Sequence, residues 1–276
     1  MAKNHCVPFK VSFNKSSIPF SCVFTDVWGP FSTLSSSGHK YYVSFIDDCT
    51  RVSWVYLMKS KSDVSRIIPQ FYNMILTQFN KNIKVFHSDN GREFVNQSLA
   101  EFMTQHGILH QKTCVYTPQQ NGIAERKNRH ILAVARSICF TMHVPKCFWA
   151  EAVLTSVFLS NRMPARILNF QTPLRMLSRF HSIPSALNIL PKVFGCVCYV
   201  HVHHLHRDKL DPRAVKCVFL GYSASSKGYK CFHPPTNTHY VSMDVQFCET
   251  ESYFSHDISL VPLQGRLRVR KRNNCG

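Results

Sequence analysis

The feature that most constrains the fold of this chain is a change of periodicity part-way along it. Up to about residue 160, apolar runs of β character give way to stretches with helical spacing; beyond residue 191 only strand patterns follow. CVFTDV (22–27), YYVSFID (41–47) and SWVYLM (53–58) are rich in β-branched and aromatic residues and read as strands, the first two joined by a long Gly/Ser/Pro-rich hairpin loop. SDVSRIIPQFYNMILTQF places apolar residues at 64, 68, 71, 75 and 79, one face of a helix, with Pro69 predicting a late start or a kink. IKVFHSD is a fourth strand, NQSLAEFMTQHG a short helix with Gly107 at its C-cap, and ILHQKT a fifth strand. NGIAERKNRHILAVARSICFTM carries one apolar stripe and reads as a long amphipathic helix, and FWAEAVLTSVFLSNRM as a second one after Pro145. Four prolines between 163 and 191 mark a linker with short helical pieces. VFGCVCYVHV, VKCVFLGYS, GYKCFH and HYVSMDVQF then form a small all-β, barrel-like unit. The expected class is α/β followed by all-β.

Charge narrows the partners. Thirty-three Lys and Arg against 15 Asp and Glu leave a net +18, an excess that favours a polyanion. The 12 cysteines lie mostly inside apolar runs, where a free thiol packs as a small hydrophobe; with no signal-peptide pattern, reduced intracellular thiols are expected. The longest apolar segment contains a Glu and is too short to span a bilayer, so no membrane role is expected.

Because acids are scarce, those beside apolar strands stand out. Asp26 interrupts the first strand, Asp89 ends the fourth in HSDNGREF, and Glu125 lies in the first turn of the long helix, with 35 residues between Asp89 and Glu125. Taken alone, Asp89 is ordinary turn chemistry, since Asn90 and Gly91 tolerate positive φ, and Glu125 merely complements a helix dipole. Together they are harder to dismiss, because Asp26 within an apolar strand requires a partner. Three carboxylates at one site stay ionised only if cations neutralise them, and hard oxygen ligands select Mg²⁺ or Mn²⁺. Two such ions on a basic protein point to phosphoryl transfer on nucleic acid.

FTDVWGPF, SDNGREF, YTPQQNGIAERKNRHI, FWAEAV with NRMP, and KLDPRAVKCVFLGYS with KGYKCF resemble, in this order, the integrase region of copia-type retrotransposon Gag-Pol polyproteins, from Pro19 to Phe247. The resemblance implies an RNase H-like catalytic core, a mixed five-stranded sheet with flanking helices, over 19–162. A linker over 163–191, a DNA-binding β domain over 192–250 and a basic, disordered tail over 251–276 complete the expected organisation. It implies that Asp26, Asp89 and Glu125 are catalytic and hold two Mg²⁺ (or Mn²⁺) ions, and that the chain joins 3′-OH ends of element DNA to host DNA, as a homo-oligomer when active. The expected DNA contacts are Asn90, Asn128, Arg129, Lys127 and Arg136. Residues 1–18 look like a truncated remnant of a His₂Cys₂ zinc module, so no structural zinc is expected. HVHHLH (201–206) reads as a phosphate-facing or solvated loop, and the basic stretch near 266–272 as a nuclear-import signal or a non-specific DNA grip. Two alternatives stay open: a catalytically silent nucleic-acid-binding remnant, and a simple RNase H-like nuclease, which needs the acids but not the β unit.

Overall fold

The computed structural model describes residues 15–114, 118–182, 189–201, 212–223, 226–254, 261–263 and 266–268. A five-stranded sheet forms first, from β1 (Cys22–Trp28), β2 (Tyr41–Asp47), β3 (Ser53–Met58), β4 (Val85–Ser88) and β5 (Leu109–Lys112). Its order is β3-β2-β1-β4-β5: β1, β2 and β3 pair antiparallel, whereas β4 runs parallel to both β1 and β5. The sheet is therefore mixed, with β1 at its centre. A second sheet follows, all antiparallel, in the order β10-β6-β7-β8-β9. It comprises β6 (Cys196–His201), β7 (Ala214–Tyr222), β8 (Tyr229–His233), β9 (Thr238–Ser242) and β10 (Val245–Ser252).

Helices α1 (Val64–Phe79) and α2 (Gln97–Gln105) close one side of the first sheet, and their apolar stripes join Val43, Phe45 and Phe86 in one core. α1 starts where its signals place it: Ser60 and Asp63 form a reciprocal capping box just ahead of it. Pro69 neither delays nor ends it, since the helix begins five residues earlier and runs on to Phe79. The opposite side carries α3 (Gly122–Thr141) and α4 (Trp149–Ser160). α4 is apolar nearly all round because it is covered twice, by β3 of the first sheet and by β7 of the second. One core thus runs from Tyr42 through Ala150 and Val153 to Cys198, Val218 and Phe232, joining the two sheets.

Four details depart from the sequence reading. HYVSMDVQF is broken at Met243 and Asp244 into β9 and β10, and β10 returns beside β6 rather than continuing outward. The boundary expected at 251 falls inside β10, whose end is followed by the buried Phe254. The proline-rich stretch is partly packed: α5 (Pro173–Ser178) sends Leu177 into the core beneath Phe20 and Phe79. In the basic tail a short hairpin pairs β11 (Val261–Leu263) with β12 (Arg266–Arg268). Residues 1–14 of the expected N-terminal remnant, most of HVHHLH and the rest of the tail lie outside the described residues. Every described cysteine is free.

Candidate active site

The parallel register of β1 and β4 decides where the first two acids stand. Cys22, Val23 and Phe24 pair with Val85, Phe86 and His87, and the Phe24 and His87 rings stack with centroids 4.9 Å apart. Asp26 lies two residues beyond Phe24 and Asp89 two beyond His87, so both acids share one parity at the same end of neighbouring strands. Glu125 arrives from α3, which is fastened to β1 on either side of it. Asn121 donates to the Thr25 carbonyl (3.1 Å) and Asn128 to Asp26 Oδ2 (2.9 Å). Residues 121, 125 and 128 follow helical spacing, which puts Glu125 between the two tethers, with its side chain exposed to solvent.

The electrostatics at Asp26 reflect these neighbours. Burial pushes Asp26 up to about 6; the Asn128 hydrogen bond opposes this, and the charges of Asp89 and Glu125 reinforce it. Tyr42, wholly buried on the adjacent strand, is pushed up by burial and by the Asp26 charge, and its hydroxyl has no hydrogen-bond partner among the described residues. Asn128 Oδ1 likewise lacks a donor. Among the described residues no Lys, Arg or His forms an ion pair with Asp26, Asp89 or Glu125. An acid trio without its own counter-charge, in a chain of net +18, is a donor set suited to a hard divalent cation. As the side chains stand, no three His, Cys, Asp or Glu among the described residues are close enough to hold one ion together. The donor chemistry fits; sharing an ion requires the three carboxylates to draw closer together than they stand.

The loop after β4 differs from the turn expected of Asp-Asn-Gly. Gly91 has φ −55° and ψ 137°, and neither it nor Asn90 is left-handed. Gly91 instead donates its N–H to Asp89 Oδ1 at 3.0 Å and precedes a 3-10 turn, Arg92–Phe94. Asn90 is exposed, but its amide donates to the Thr113 carbonyl, tying this loop to the end of β5. Ser88 donates to the Asp89 carbonyl (2.8 Å) and meets His110 Nε2 (2.9 Å); burial pushes His110 down to about 4, so neutral imidazole supplies the Nε2–H.

The remaining expected DNA contacts separate. Arg129 and Arg136 are exposed on α3. Asn128 is buried and committed to Asp26, which makes it a positioning group. Lys127 is half-buried on another flank, where burial and then the Arg51 charge push its ammonium down to about 8. Glu93 and Lys61 were not singled out from sequence. Glu93 could have been, because it is one of few acids and adjoins the buried Phe94; Lys61 carries no local signal.

Comparison with known proteins places the chain among relatives. Residues 16–118 match the integrase core domain family and residues 196–260 the retroviral polymerase SH3-like domain. Glu125 lies beyond the first of these intervals. The chain is 38% identical over 257 residues, 93% of its length, to the Retrovirus-related Pol polyprotein from transposon TNT 1-94 of Nicotiana tabacum. It is 36% identical over 274 residues, 99% of its length, to that from transposon RE1 of Arabidopsis thaliana. It spans 19% and 18% of these two relatives. Among solved structures, a chain of the simian T-cell lymphotropic virus intasome in complex with PP2A regulatory subunit B56 gamma superposes with a TM-score of 0.52, covering 89% of this chain and 84% of that one at 15% identity. That likeness is one of fold, across both the mixed sheet and the β domain.

Proposed function

Since the chain belongs to the integrases of copia-type retrotransposon Pol polyproteins, we propose that it joins 3′-OH ends of element DNA to target DNA by metal-assisted phosphoryl transfer. The observation that carries this reading is the convergence on Asp26: the register of β1 and β4 brings up Asp89, α3 brings up Glu125, and both charges are felt at Asp26. Asp26, Asp89 and Glu125 would hold the divalent ions, which when bound supply Lewis-acid activation of the attacking and leaving oxygens. Asn128 fixes the Asp26 carboxylate through its Oδ2, and the 88–91 loop fixes Asp89 through the Gly91 N–H. Arg129 and Arg136, exposed along α3, would meet phosphates. Double-stranded DNA is the partner that the net +18 favours, with self-association of the active form and nuclear import through 266–272 as parts of the same reading.

The test is a strand-transfer assay with Mn²⁺ and an oligonucleotide duplex. Asp89→Asn should abolish joining while leaving DNA binding nearly intact, and undiminished joining overturns the assignment. Salt-sensitive binding by the wild-type chain with no metal-dependent joining or cleavage would instead identify a silent nucleic-acid-binding remnant.

A further inference from the structure

Beside Asp89 stands a fourth carboxylate that the acid trio does not use. Glu93 lies in the 3-10 turn Arg92–Phe94, and its side chain is 9% exposed. Its Oε1 accepts a hydrogen bond from Lys61 Nζ at 2.9 Å, and Lys61 opens the short 3-10 turn that leads into α1. The other oxygen faces Gly91. A methyl group on Gly91 would stand 2.8 Å from Glu93 Cδ, 2.9 Å from Glu93 Oε2 and 3.0 Å from Asp89 Oδ1. The two carboxylates therefore flank one backbone position, and a side chain at Gly91 would have to displace one of them.

Resting on the function proposed above, we infer that the Lys61–Glu93 pair is a brace that positions Asp89. Phe94 anchors the turn in the core shared with α1, and Asn90 ties its start to β5. Between these anchors the Gly91 N–H holds Asp89 Oδ1, and the clamped Glu93 side chain closes the far side of the same residue. Lys61 also supplies the charge that lets a nearly buried carboxylate sit beside Asp89; without it two like charges would share the niche and the turn would open. Glu93 and Lys61 are thus positioning residues, acting on the metal site through Gly91 and not by touching the reacting atoms.

The experiment compares Glu93→Gln, Lys61→Met and the double variant with wild type, all as the full chain. Amide hydrogen exchange over residues 90–94 is measured without metal, and Mn²⁺ affinity and joining are measured alongside. Each single variant should accelerate exchange at Gly91 by roughly fivefold, with α4 and β7 unchanged, since the brace governs a local opening. The double variant should be no faster than the singles, because the two residues act as a unit. Joining should fall in kcat with little change in KM for DNA. Exchange unchanged in both singles, or fully multiplicative in the double, overturns the brace. So do opposite shifts in Mn²⁺ affinity without any change in exchange, which would reduce the pair to a charge effect. Asp89→Asn separates the two readings: if it too leaves Mn²⁺ affinity unchanged, the proposed function fails, whereas its loss of Mn²⁺ beside silent brace variants rejects the brace alone.

Discussion

Asn128 Nδ2 stands 2.9 Å from Asp26 Oδ2, joining the long helix to the central strand across 102 positions of sequence. The contact fixes the orientation of the Asp26 carboxylate and fastens the helix that carries Glu125. Removing the donor should loosen both. Asn128→Ala is expected to lower Mn²⁺ affinity and joining by roughly 10- to 100-fold, the usual cost of losing a group that orients a ligand. Asn128→Asp should be worse, because it sets a like charge against Asp26. Metal titration followed by joining assays checks this, with far-UV circular dichroism to confirm folding.

The raised Asp26 carboxyl makes the metal-free protein sensitive to pH in a defined direction. Between its ordinary value of 3.8 and about 6, the folded chain holds a proton that the unfolded chain has lost, so stability falls as pH rises through that window. Above it the ionised, buried acid costs on the order of 1–3 kcal/mol. Asp26→Asn should flatten the decline and melt higher at pH 7 in the absence of metal. Added Mg²⁺ should stabilise the wild type and not the variant. A wild-type stability that is level from pH 4 to 7 would refute this account.

The contact between α4 and β7 is tightest at Gly221, where φ is +113° and an added methyl would lie 2.5 Å from Thr155 Oγ1. Gly221→Ala meets both backbone strain and a wedge between the domains, with an expected loss of about 2–4 kcal/mol. Thermal melting should show the loss, and limited proteolysis should show cleavage rising between the two sheets.

An ion pair crosses the same interface. Lys230 of β8 donates to Glu151 Oε1 of α4 at 3.2 Å, and Ser36 reaches the same oxygen at 3.4 Å, while Oε2 has no partner among the described residues. Glu151 is 3% exposed, so Lys230→Met strands a buried charge and should cost about 2 kcal/mol or more. Adding Glu151→Gln should recover most of that loss. A double variant as unstable as the Lys230 single would show that the pair acts through something other than charge; denaturant melts of the three proteins decide.

Much of this was legible in the sequence because it rests on local rules. Strand runs, the helical stripe of α1 and the left-handed Gly107 after α2 follow from periodicity and capping, and each lies within a few residues of where the pattern puts it. Asp26 stood out for a related reason: an Asp inside an apolar strand violates local expectation, and such violations gather where chemistry is done. Glu125 does not, since an acid in the first turn complements the helix dipole, and it enters the candidate site only through its spacing from Asp89 and the family resemblance.

What the sequence determined by itself is therefore the kind of each element and the residues that do not belong in it. Partnership between elements was decided only in three dimensions. The parallel pairing of β1 with β4 sets Asp26 level with Asp89, and nothing in CVFTDV or IKVFHSD names the other strand. The covering of α4 from both sides and the reach of Lys61 to Glu93 are likewise absent from any local window. The physical reason is range. Propensity and capping act over a turn or two of chain, whereas register, burial and the charge one carboxylate feels from another depend on distances that only the packed fold sets.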